Sequence, residues 1–180
     1  MNGGRTETAE DFFSEGLFSA SERLLIRSVG KELVENHITI SCCESCTGGL
    51  FAAALTGVPG ISGVFDRGLV TYTERAKMEE LGVRKETLAA HTVYSEEVAR
   101  EMAEGLYRKT GSDICVSVTG IAGPDGALPG KPVGTVYIGC CHCGKVQVEM
   151  LQTGSCSRSR NRRDAVIAMF RLVVNTLKEE

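Results

Sequence analysis

Residues 38–55 read ITISCCESCTGGLFAAAL, and this stretch decides the fold. Its first part is apolar and β-branched, which predicts a short buried strand over residues 38–42. Gly48 and Gly49 then allow a sharp turn, because glycine adopts positive φ without a steric penalty. The apolar residues after the turn predict a helix over residues 48–55. A strand that leads directly into a helix is typical of α/β proteins, so the stretch favours an α/β fold.

Strands and helices continue to alternate on both sides of this stretch. Before it, apolar residues recur at helical spacing from Leu24 to Val34, with Ser21 as the predicted N-cap. The other predicted helices cover residues 74–81, a segment opened by Ser95, and residues 161–177, and the other predicted strands cover residues 68–72, 114–119, 133–143 and 145–151. Because Gly144 separates the last two strands, we predict an antiparallel hairpin there.

The helix opened by Ser95 has the clearest pattern, because Val98, Met102 and Leu106 line one face of it. Together the elements predict a single-domain, three-layer α/β/α sandwich. Its mixed sheet has a parallel core and a C-terminal antiparallel hairpin. We assign residues 1–20 to a flexible N-terminal leader and residues 21–180 to the folded domain.

Composition excludes several classes of protein. The chain has 180 residues, of which 42% are hydrophobic, and a formal net charge of −3. A general nucleic-acid binder would carry a strongly basic face instead. No apolar run approaches the roughly 20 residues of a membrane span, and residues 1–15 are too polar for a signal peptide. We therefore expect a cytoplasmic protein with no nucleic-acid or membrane partner.

The sequence CCHC at residues 140–143 raises the question of a zinc site, since the chain has eight cysteines. Metal-binding cysteines usually lie about two to four residues apart and need a second pair elsewhere. These residues follow instead the alternating pattern of a predicted strand, which favours small buried cysteines with free thiols. We expect neither a metal site nor a cofactor.

The turn after the first strand offers two nucleophiles, Ser45 and Cys46. It lies at the carboxyl end of a strand, where ligands bind in open α/β folds. The first N–H groups of the following helix, near residues 47–49, can hold an anion or a developing oxyanion, and N–H groups near Gly120 are the alternative donors to an oxyanion. A tight turn capped by a hydroxyl group is the alternative interpretation of the same residues.

A serine is inert until a base removes its proton, and none of the three histidines has a motif-like setting. Tyr72 ends a predicted strand and Lys77 lies one turn into the next helix, so both can point towards Ser45. A lysine acts as a base when burial or a nearby cation lowers its pKa. An ordinary surface lysine is the alternative, and Tyr72 is either a proton relay or a wall of the pocket.

A long glycine-rich segment follows the strand at residues 114–119 and includes TGIAGP at 119–124. Long loops at strand ends are often functional, and a plain connection is the alternative. The last predicted helix begins with a run of arginines, which is either an anion site or a solvated helix start. The run consists of Arg158, Arg160, Arg162 and Arg163.

These segments, in this order, resemble the CinA C-terminal domain family. The motifs are ESCTGG at residues 44–49, Tyr72 with AK at 76–77, TGIAGP at 119–124 and KPVGTV at 131–136. Each motif alone is unspecific, but their joint occurrence is specific and covers residues 21–177. The resemblance implies a nicotinamide-nucleotide amidase of NAD salvage. This enzyme converts nicotinamide mononucleotide and water to nicotinic acid mononucleotide and ammonia.

The resemblance also implies roles for individual residues. Ser45 matches the nucleophile, and Tyr72 and Lys77 match the assisting residues, with Tyr72 relaying a proton or holding Lys77 in place. An arginine at the start of the last helix matches Arg158 best, with Arg162 one turn later. The substrate-binding residues that we assign are Thr47, Gly48, Gly49, Thr119, Gly120, Ala122, Gly123 and Arg158. We expect a small-molecule nucleotide as substrate and a homo-oligomeric state.

The chain departs from the family pattern in three places. Residues 66–68 read DRG where the family prefers small residues, and Glu74 replaces the common Asn or Asp. Residues 156–158 read CSR in place of a Gly-Asp-Arg step. The last departure leaves open whether Arg158 or Arg162 binds a phosphate.

Two other functions stay open at this point. A thiol hydrolase could use Cys46, since a helix N-terminus lowers the pKa of a thiol. The domain could also be a non-catalytic nucleotide- or partner-binding module linked to competence or DNA damage. Ser45, Tyr72 and Lys77 together argue against such a module, because it would not need all three.

Overall fold

The computed structural model describes residues 17–154 and 157–178. In these residues, strands and helices alternate through most of the chain. The elements are α1 (Ala20–Glu35), β1 (Ile40–Glu44), α2 (Leu50–Thr56), β2 (Phe65–Val70), α3 (Glu74–Leu81), α4 (Lys85–His91), α5 (Glu96–Thr110), β3 (Ile114–Gly120), β4 (Thr135–His142), β5 (Lys145–Gln152) and α6 (Arg158–Lys178), with a 3-10 turn at Ile61–Gly63.

The five strands form one mixed sheet in the order β2-β1-β3-β4-β5. The strands β2, β1 and β3 run parallel, and β3, β4 and β5 are antiparallel to their neighbours. Helices α1, α2 and α6 cover one face of the sheet, and α3, α4 and α5 cover the other. The predicted three-layer α/β/α sandwich with a parallel core and a C-terminal hairpin is confirmed.

Two predicted strands lie a few residues from their observed positions. β1 runs from Ile40 to Glu44 rather than over residues 38–42, and β2 covers Phe65–Val70 rather than 68–72. The predicted bounds followed the apolar, β-branched run, whereas the observed strand continues to Glu44, whose buried carboxylate accepts hydrogen bonds from backbone N–H groups. β2 is an edge strand with exposed polar residues, so its apolar pattern is weak. As a result, Tyr72 lies in the loop after β2.

Several helix ends are confirmed and others differ. The bounds of α3 and the Ser95 cap of α5 are as predicted. The predicted Ser21 cap of α1 is wrong: Ser19 caps it, in a capping box with Glu22. The short α4 was missed, since it has no side-chain cap and too few apolar residues to show a period. α6 begins at Arg158, three residues earlier than predicted, which places this arginine in its first turn.

The N-terminal boundary of the domain stays a prediction, because residues 1–16 of the proposed leader lie outside the described residues. Phe18 and Ser19, which lie within the predicted leader, belong to the folded structure. Phe18 is buried in the core, and its carbonyl accepts a hydrogen bond from Arg23.

The cysteines of the hairpin occupy three different environments. Cys140 is buried on the α1/α2/α6 face of the sheet and Cys141 on the α5 face, as expected for alternating strand residues. Cys143 is exposed, because it forms the tight turn with Gly144, in which both residues have positive φ. In residues 17–154 and 157–178, no three His, Cys, Asp or Glu side chains are grouped as metal ligands. Within the same ranges, no helix combines the length and apolarity that crossing a membrane requires.

Candidate active site

Ser45 and Lys77, predicted as nucleophile and base, are in direct contact. Ser45 lies in the turn between β1 and α2, and Lys77 lies on the first turn of α3. The Nζ atom of Lys77 is 2.9 Å from Oγ of Ser45 and donates over 2.6 Å to the carbonyl oxygen of Thr71. Lys77 is fully buried, at 0% exposure, and Ser45 is 7% exposed. The alternative of a surface lysine is therefore wrong.

Burial lowers the pKa of Lys77 to about 8, because the buried site disfavours the charged ammonium. The neighbouring groups Cys43, Cys46 and Glu74 act in the opposite direction and raise this pKa. The sequence alone suggested burial or a nearby cation as the cause of a lowered pKa for Lys77. In the structure, the lowering comes from burial. A substantial neutral fraction of Lys77 is thus present near physiological pH.

The backbone of Thr71 orients the amine of Lys77. A carbonyl oxygen only accepts, so it holds one N–H bond of Lys77. A neutral amine has two N–H bonds and one lone pair, and Ser45 Oγ is within reach of that lone pair. The arrangement can therefore take the hydroxyl proton of Ser45 onto Lys77.

A buried carboxylate, Glu44, closes the N-terminus of α2. It accepts hydrogen bonds from the backbone N–H groups of Gly49, Phe51 and Ala52, at 3.0, 3.2 and 2.9 Å. The N–H of Gly48 donates to the carbonyl of Ser45. Of the predicted anion donors near residues 47–49 or Gly120, the N–H groups of Gly48 and Gly49 are therefore already occupied within the protein. Glu44 takes the place of an external anion at the positive end of the helix.

The turn that presents Ser45 depends on two glycines and one arginine. Gly48 and Gly49 have φ values of 62° and 93°, a region that other residues adopt only at a steric cost. Arg162 donates from Nη2 to the carbonyl of Thr47 over 2.7 Å. Arg162 therefore holds the turn from the side of α6, and it does not line the cavity in front of Ser45.

A cavity of about 150 Å³ opens in front of Ser45. Its wall combines the nucleophile with one arginine, two carboxylates and two tyrosines. The lining residues are Ser45, Cys46, Tyr72, Glu74, Val93, Tyr94, Gly120, Ile121, Ala122, Gly123, Asp125 and Arg158. The structure thus brings together the ends of β1, β2 and β3, as expected for the carboxyl edge of parallel strands. Thr47, Gly48, Gly49 and Thr119 of the predicted set do not line the cavity.

Tyr72 is paired with Arg158 rather than with Lys77. Its hydroxyl accepts a hydrogen bond from Nη2 of Arg158 over 2.8 Å, and the tyrosine is 55% exposed. Among the described residues, the hydrogen bonds of Lys77 Nζ go to Ser45 and Thr71 and none involves Tyr72. The expectation that Tyr72 holds Lys77 is therefore wrong, because the Thr71 carbonyl does so.

The glycine-rich segment forms one wall of the cavity and is held by α6. Arg158 donates from Nη1 to the carbonyl of Gly123 over 2.7 Å. Asn161, which is fully buried, donates from Nδ2 to the carbonyl of Ala122 over 2.9 Å. Thr119 lies behind the wall, and its hydroxyl donates to the carbonyl of Val93. Thr119 is therefore a scaffold residue.

Cys46 shares the cavity with Ser45 but is a poor nucleophile. It is 6% exposed, and burial raises the pKa of its thiol to about 11. The sequence suggested the opposite direction, because a helix N-terminus favours a thiolate. Burial outweighs that effect here, and Glu44 already occupies the helix N-terminus.

Sequence reasoning missed several residues of the site. Glu44 carried a signal, since a carboxylate at the end of an apolar strand needs a partner. Val93 and Tyr94 come from the connection between α4 and α5, which has no motif. Asp125 lies in the recognised glycine segment but was given no role.

Comparison with known proteins identifies the family of the chain. Residues 22–177 match the family model described as the CinA C-terminal domain. The chain belongs to the CinA C-terminal domain family. The match spans every element from α1 to α6 and includes Ser45, Lys77 and Arg158.

Relatives that carry this CinA domain are longer proteins. The chain is 46% identical over 159 residues to a putative competence-damage inducible protein of Acetivibrio thermocellus. The aligned residues make up 88% of this chain and 38% of the relative. It is 45% identical over 158 residues to a CinA-like protein of Kosmotoga olearia, with the same two coverages. The chain therefore spans little more than a third of the length of these curated relatives.

Solved CinA-family structures share the fold over their whole length. The competence/damage inducible protein CihA from Agrobacterium tumefaciens superposes with a TM-score of 0.85 at 36% identity, covering 89% of this chain and 98% of that one. A CinA superfamily protein from Klebsiella pneumoniae gives 0.84 at 31% identity, covering 88% and 99%.

Proposed function

We propose that this chain is a nicotinamide-nucleotide amidase, which hydrolyses the carboxamide of nicotinamide mononucleotide to a carboxylate and ammonia. The observation that carries the proposal is the contact of 2.9 Å between Lys77 Nζ and Ser45 Oγ at the base of a cavity. A hydroxyl group beside a buried amine is a nucleophile with its own base, and an amide carbonyl is the matching electrophile.

The first half of the reaction forms an acyl-enzyme. Neutral Lys77 takes the hydroxyl proton of Ser45 while Oγ bonds to the carboxamide carbon and the carbonyl oxygen becomes an oxyanion. As the oxyanion collapses, the carbon–nitrogen bond breaks. The leaving nitrogen receives the proton from Lys77 and departs as ammonia. Lys77 is then neutral again, and an ester joins the nicotinoyl group to Ser45.

The second half uses the same two residues. Water bonds to the ester carbon and gives a proton to Lys77. The carbon–oxygen bond to Ser45 then breaks, and Lys77 returns the proton to Oγ. Nicotinic acid mononucleotide is released, and the enzyme regains its starting state. No step in this scheme uses a metal ion.

The oxyanion needs donors that are not already engaged. Since Glu44 and Ser45 occupy the N–H groups of Gly49 and Gly48, we assign this role to the N–H group of Cys46, a residue that lines the cavity. Within residues 17–154 and 157–178, no backbone carbonyl accepts a hydrogen bond from this N–H group. The N–H of the residue after a nucleophilic serine has this function in other hydrolases.

The charges of the cavity match the two ends of the substrate. Arg158 is the cation of the lining, and a guanidinium group binds phosphate through paired hydrogen bonds. Glu74 and Asp125 provide two carboxylates for the cationic pyridinium ring. Arg162 is less suited to the phosphate, because it does not line the cavity and donates to the carbonyl of Thr47.

The alternative functions have less support. A Cys46-dependent hydrolase would need a thiolate, and burial raises the pKa of this thiol to about 11. A non-catalytic binding module would not require a fully buried lysine hydrogen-bonded to a serine, which is an energetically costly arrangement.

The test is ammonia release from nicotinamide mononucleotide by the purified chain, with nicotinic acid mononucleotide identified as the second product. Ser45→Ala is expected to abolish turnover and to keep nucleotide binding, since it removes only the hydroxyl group. Ser62→Ala is the matched control, because Ser62 is exposed and remote from the cavity. Turnover by Ser45→Ala at a rate close to that of wild type would reject the proposal.

A further inference from the structure

The motif KPVG, at residues 131–134, has no role in the proposed reaction. Its lysine, Lys131, donates hydrogen bonds to residues 91–94, which follow α4 in the chain. Residues 121–134 form a loop closed by hydrogen bonds from Ile121 to Thr135 and from Gly134 to Ile121. Near its tip, Leu128 and Lys131 pair through two backbone hydrogen bonds of 2.9 Å. This pairing fixes the point from which the Lys131 side chain leaves the loop.

The ammonium group of Lys131 is fully engaged by neutral acceptors. Nζ donates to the carbonyls of His91 and Tyr94, at 3.0 and 2.7 Å, and to the hydroxyl of Thr92 at 3.3 Å. The ring of Tyr137 lies 6.0 Å away, at the limit of a cation–π contact. No carboxylate of the described residues pairs with it, so this is a backbone cross-link rather than a salt bridge.

The segment to which Lys131 donates hydrogen bonds forms part of the cavity wall. Val93 and Tyr94 line the cavity in front of Ser45. This segment begins with Thr92, whose φ of 64° is unfavourable for a β-branched residue. A backbone held in such a conformation needs contacts from its surroundings to persist. Lys131 and Thr119 supply such contacts from other parts of the chain, since the Thr119 hydroxyl donates to the carbonyl of Val93, and Ser95 donates to the carbonyl of Thr92 from within the segment.

We infer that Lys131 is a positioning residue that joins two walls of the catalytic cavity. Its own loop carries Ala122, Gly123 and Asp125, and its side chain holds the segment with Val93 and Tyr94. One ammonium group therefore sets the width of the cavity. The role depends on three N–H bonds that point in different directions, which the planar guanidinium of arginine does not offer. The inference rests on the proposed function only in taking this cavity as the substrate site.

The experiment compares Lys131→Met and Lys131→Arg with wild type, and Lys85→Met serves as the matched control because Lys85 is an exposed lysine on α4. We expect Lys131→Met to raise KM for nicotinamide mononucleotide about tenfold while kcat stays within about twofold. This pattern is expected when a variant binds the substrate and the transition state more weakly by the same amount. Lys131→Arg should resemble Lys131→Met, and Lys85→Met should resemble wild type.

Backbone hydrogen exchange provides a measurement that needs no substrate. Amides of residues 92–95 should exchange faster in Lys131→Met than in wild type or Lys85→Met, because the segment loses its cross-link. A lowered Tm with unchanged KM and unchanged exchange would overturn the inference. So would an arginine variant with wild-type KM. If wild type does not hydrolyse the nucleotide, the proposed function fails, and the exchange comparison still decides whether Lys131 holds this wall.

Discussion

The Nζ atom of Lys77 lies 2.9 Å from the Oγ atom of Ser45, although 32 residues separate them in the chain. The contact exists because β1 and β2 are adjacent parallel strands, so the turn after β1 and the helix after β2 meet at one edge of the sheet. Lys77 is buried at this contact, and burial lowers its pKa to about 8, so that part of the amine is neutral near physiological pH.

Activity should depend on the neutral form of Lys77. The base must be unprotonated, so kcat/KM is expected to rise with pH and to reach half its plateau near the pKa of about 8. Lys77→Arg should lower kcat by about 10²-fold or more, because guanidinium keeps its proton. A pH–rate profile of both proteins is the measurement. If Lys77 only attracts a phosphate, the arginine variant will keep most of the rate.

The burial of Lys77 should also make the free energy of unfolding depend on pH. The pKa of Lys77 falls from 10.5 to about 8 on folding, so between these values the unfolded chain binds more protons. The contribution of Lys77 to the free energy of unfolding is therefore lowest below pH 8. It should rise by about 3 kcal/mol as the pH increases to about 10.5.

Lys77→Met isolates this contribution. Its free energy of unfolding, measured with urea, should move relative to wild type by about 3 kcal/mol between pH 7 and 10.5, with wild type gaining at the higher pH. Buried thiols such as Cys46 titrate in both proteins, and the difference removes most of their effect. Lys85→Met, at an exposed position, should show no such trend. A constant difference for Lys77→Met would contradict the burial argument.

Tyr72→Phe should have a modest effect, because the Tyr72 hydroxyl contacts Arg158 and not Lys77. We expect kcat to fall less than about tenfold, with the change mainly in KM, and the pH–rate profile to keep its midpoint. Tyr94→Phe is the comparison, since Tyr94 lines the same cavity. A fall in kcat of about 10²-fold or more for Tyr72→Phe would restore the proton-relay role.

Glu44→Gln should reduce both stability and turnover. The glutamine amide presents one oxygen, whereas the carboxylate uses both oxygens to accept three N–H groups of α2. We expect a loss of about 1.5–3 kcal/mol in the free energy of unfolding, together with a lower kcat as the Ser45 turn loosens. Glu79→Gln, on the exposed face of α3, is the control. Unchanged kcat would show that Glu44 does not position Ser45.

The local elements were predictable from the sequence because their causes are local. The strand, turn and helix around Ser45 follow from an apolar run, two glycines and a second apolar run within 18 residues. The face formed by Val98, Met102 and Leu106 and the Ser95 cap follow from the helical period and from capping chemistry. The motifs also identified Ser45, Lys77 and Arg158 as candidates, since their order along the chain is itself a pattern.

The partners within the site were decided by tertiary structure. Tyr72 adjoins Arg158 because β2 ends at Val70, two residues earlier than its weak edge-strand pattern suggested. Glu44 occupies the N-terminus of α2 because a buried carboxylate must find donors, and the sequence does not say which N–H groups lie within reach. The pKa values of Lys77 and Cys46 depend on everything packed around them. The sequence by itself therefore determined which reactive groups the chain carries and on which elements they lie, whereas their contacts and charge states follow from packing and desolvation, which sum over residues distant along the chain.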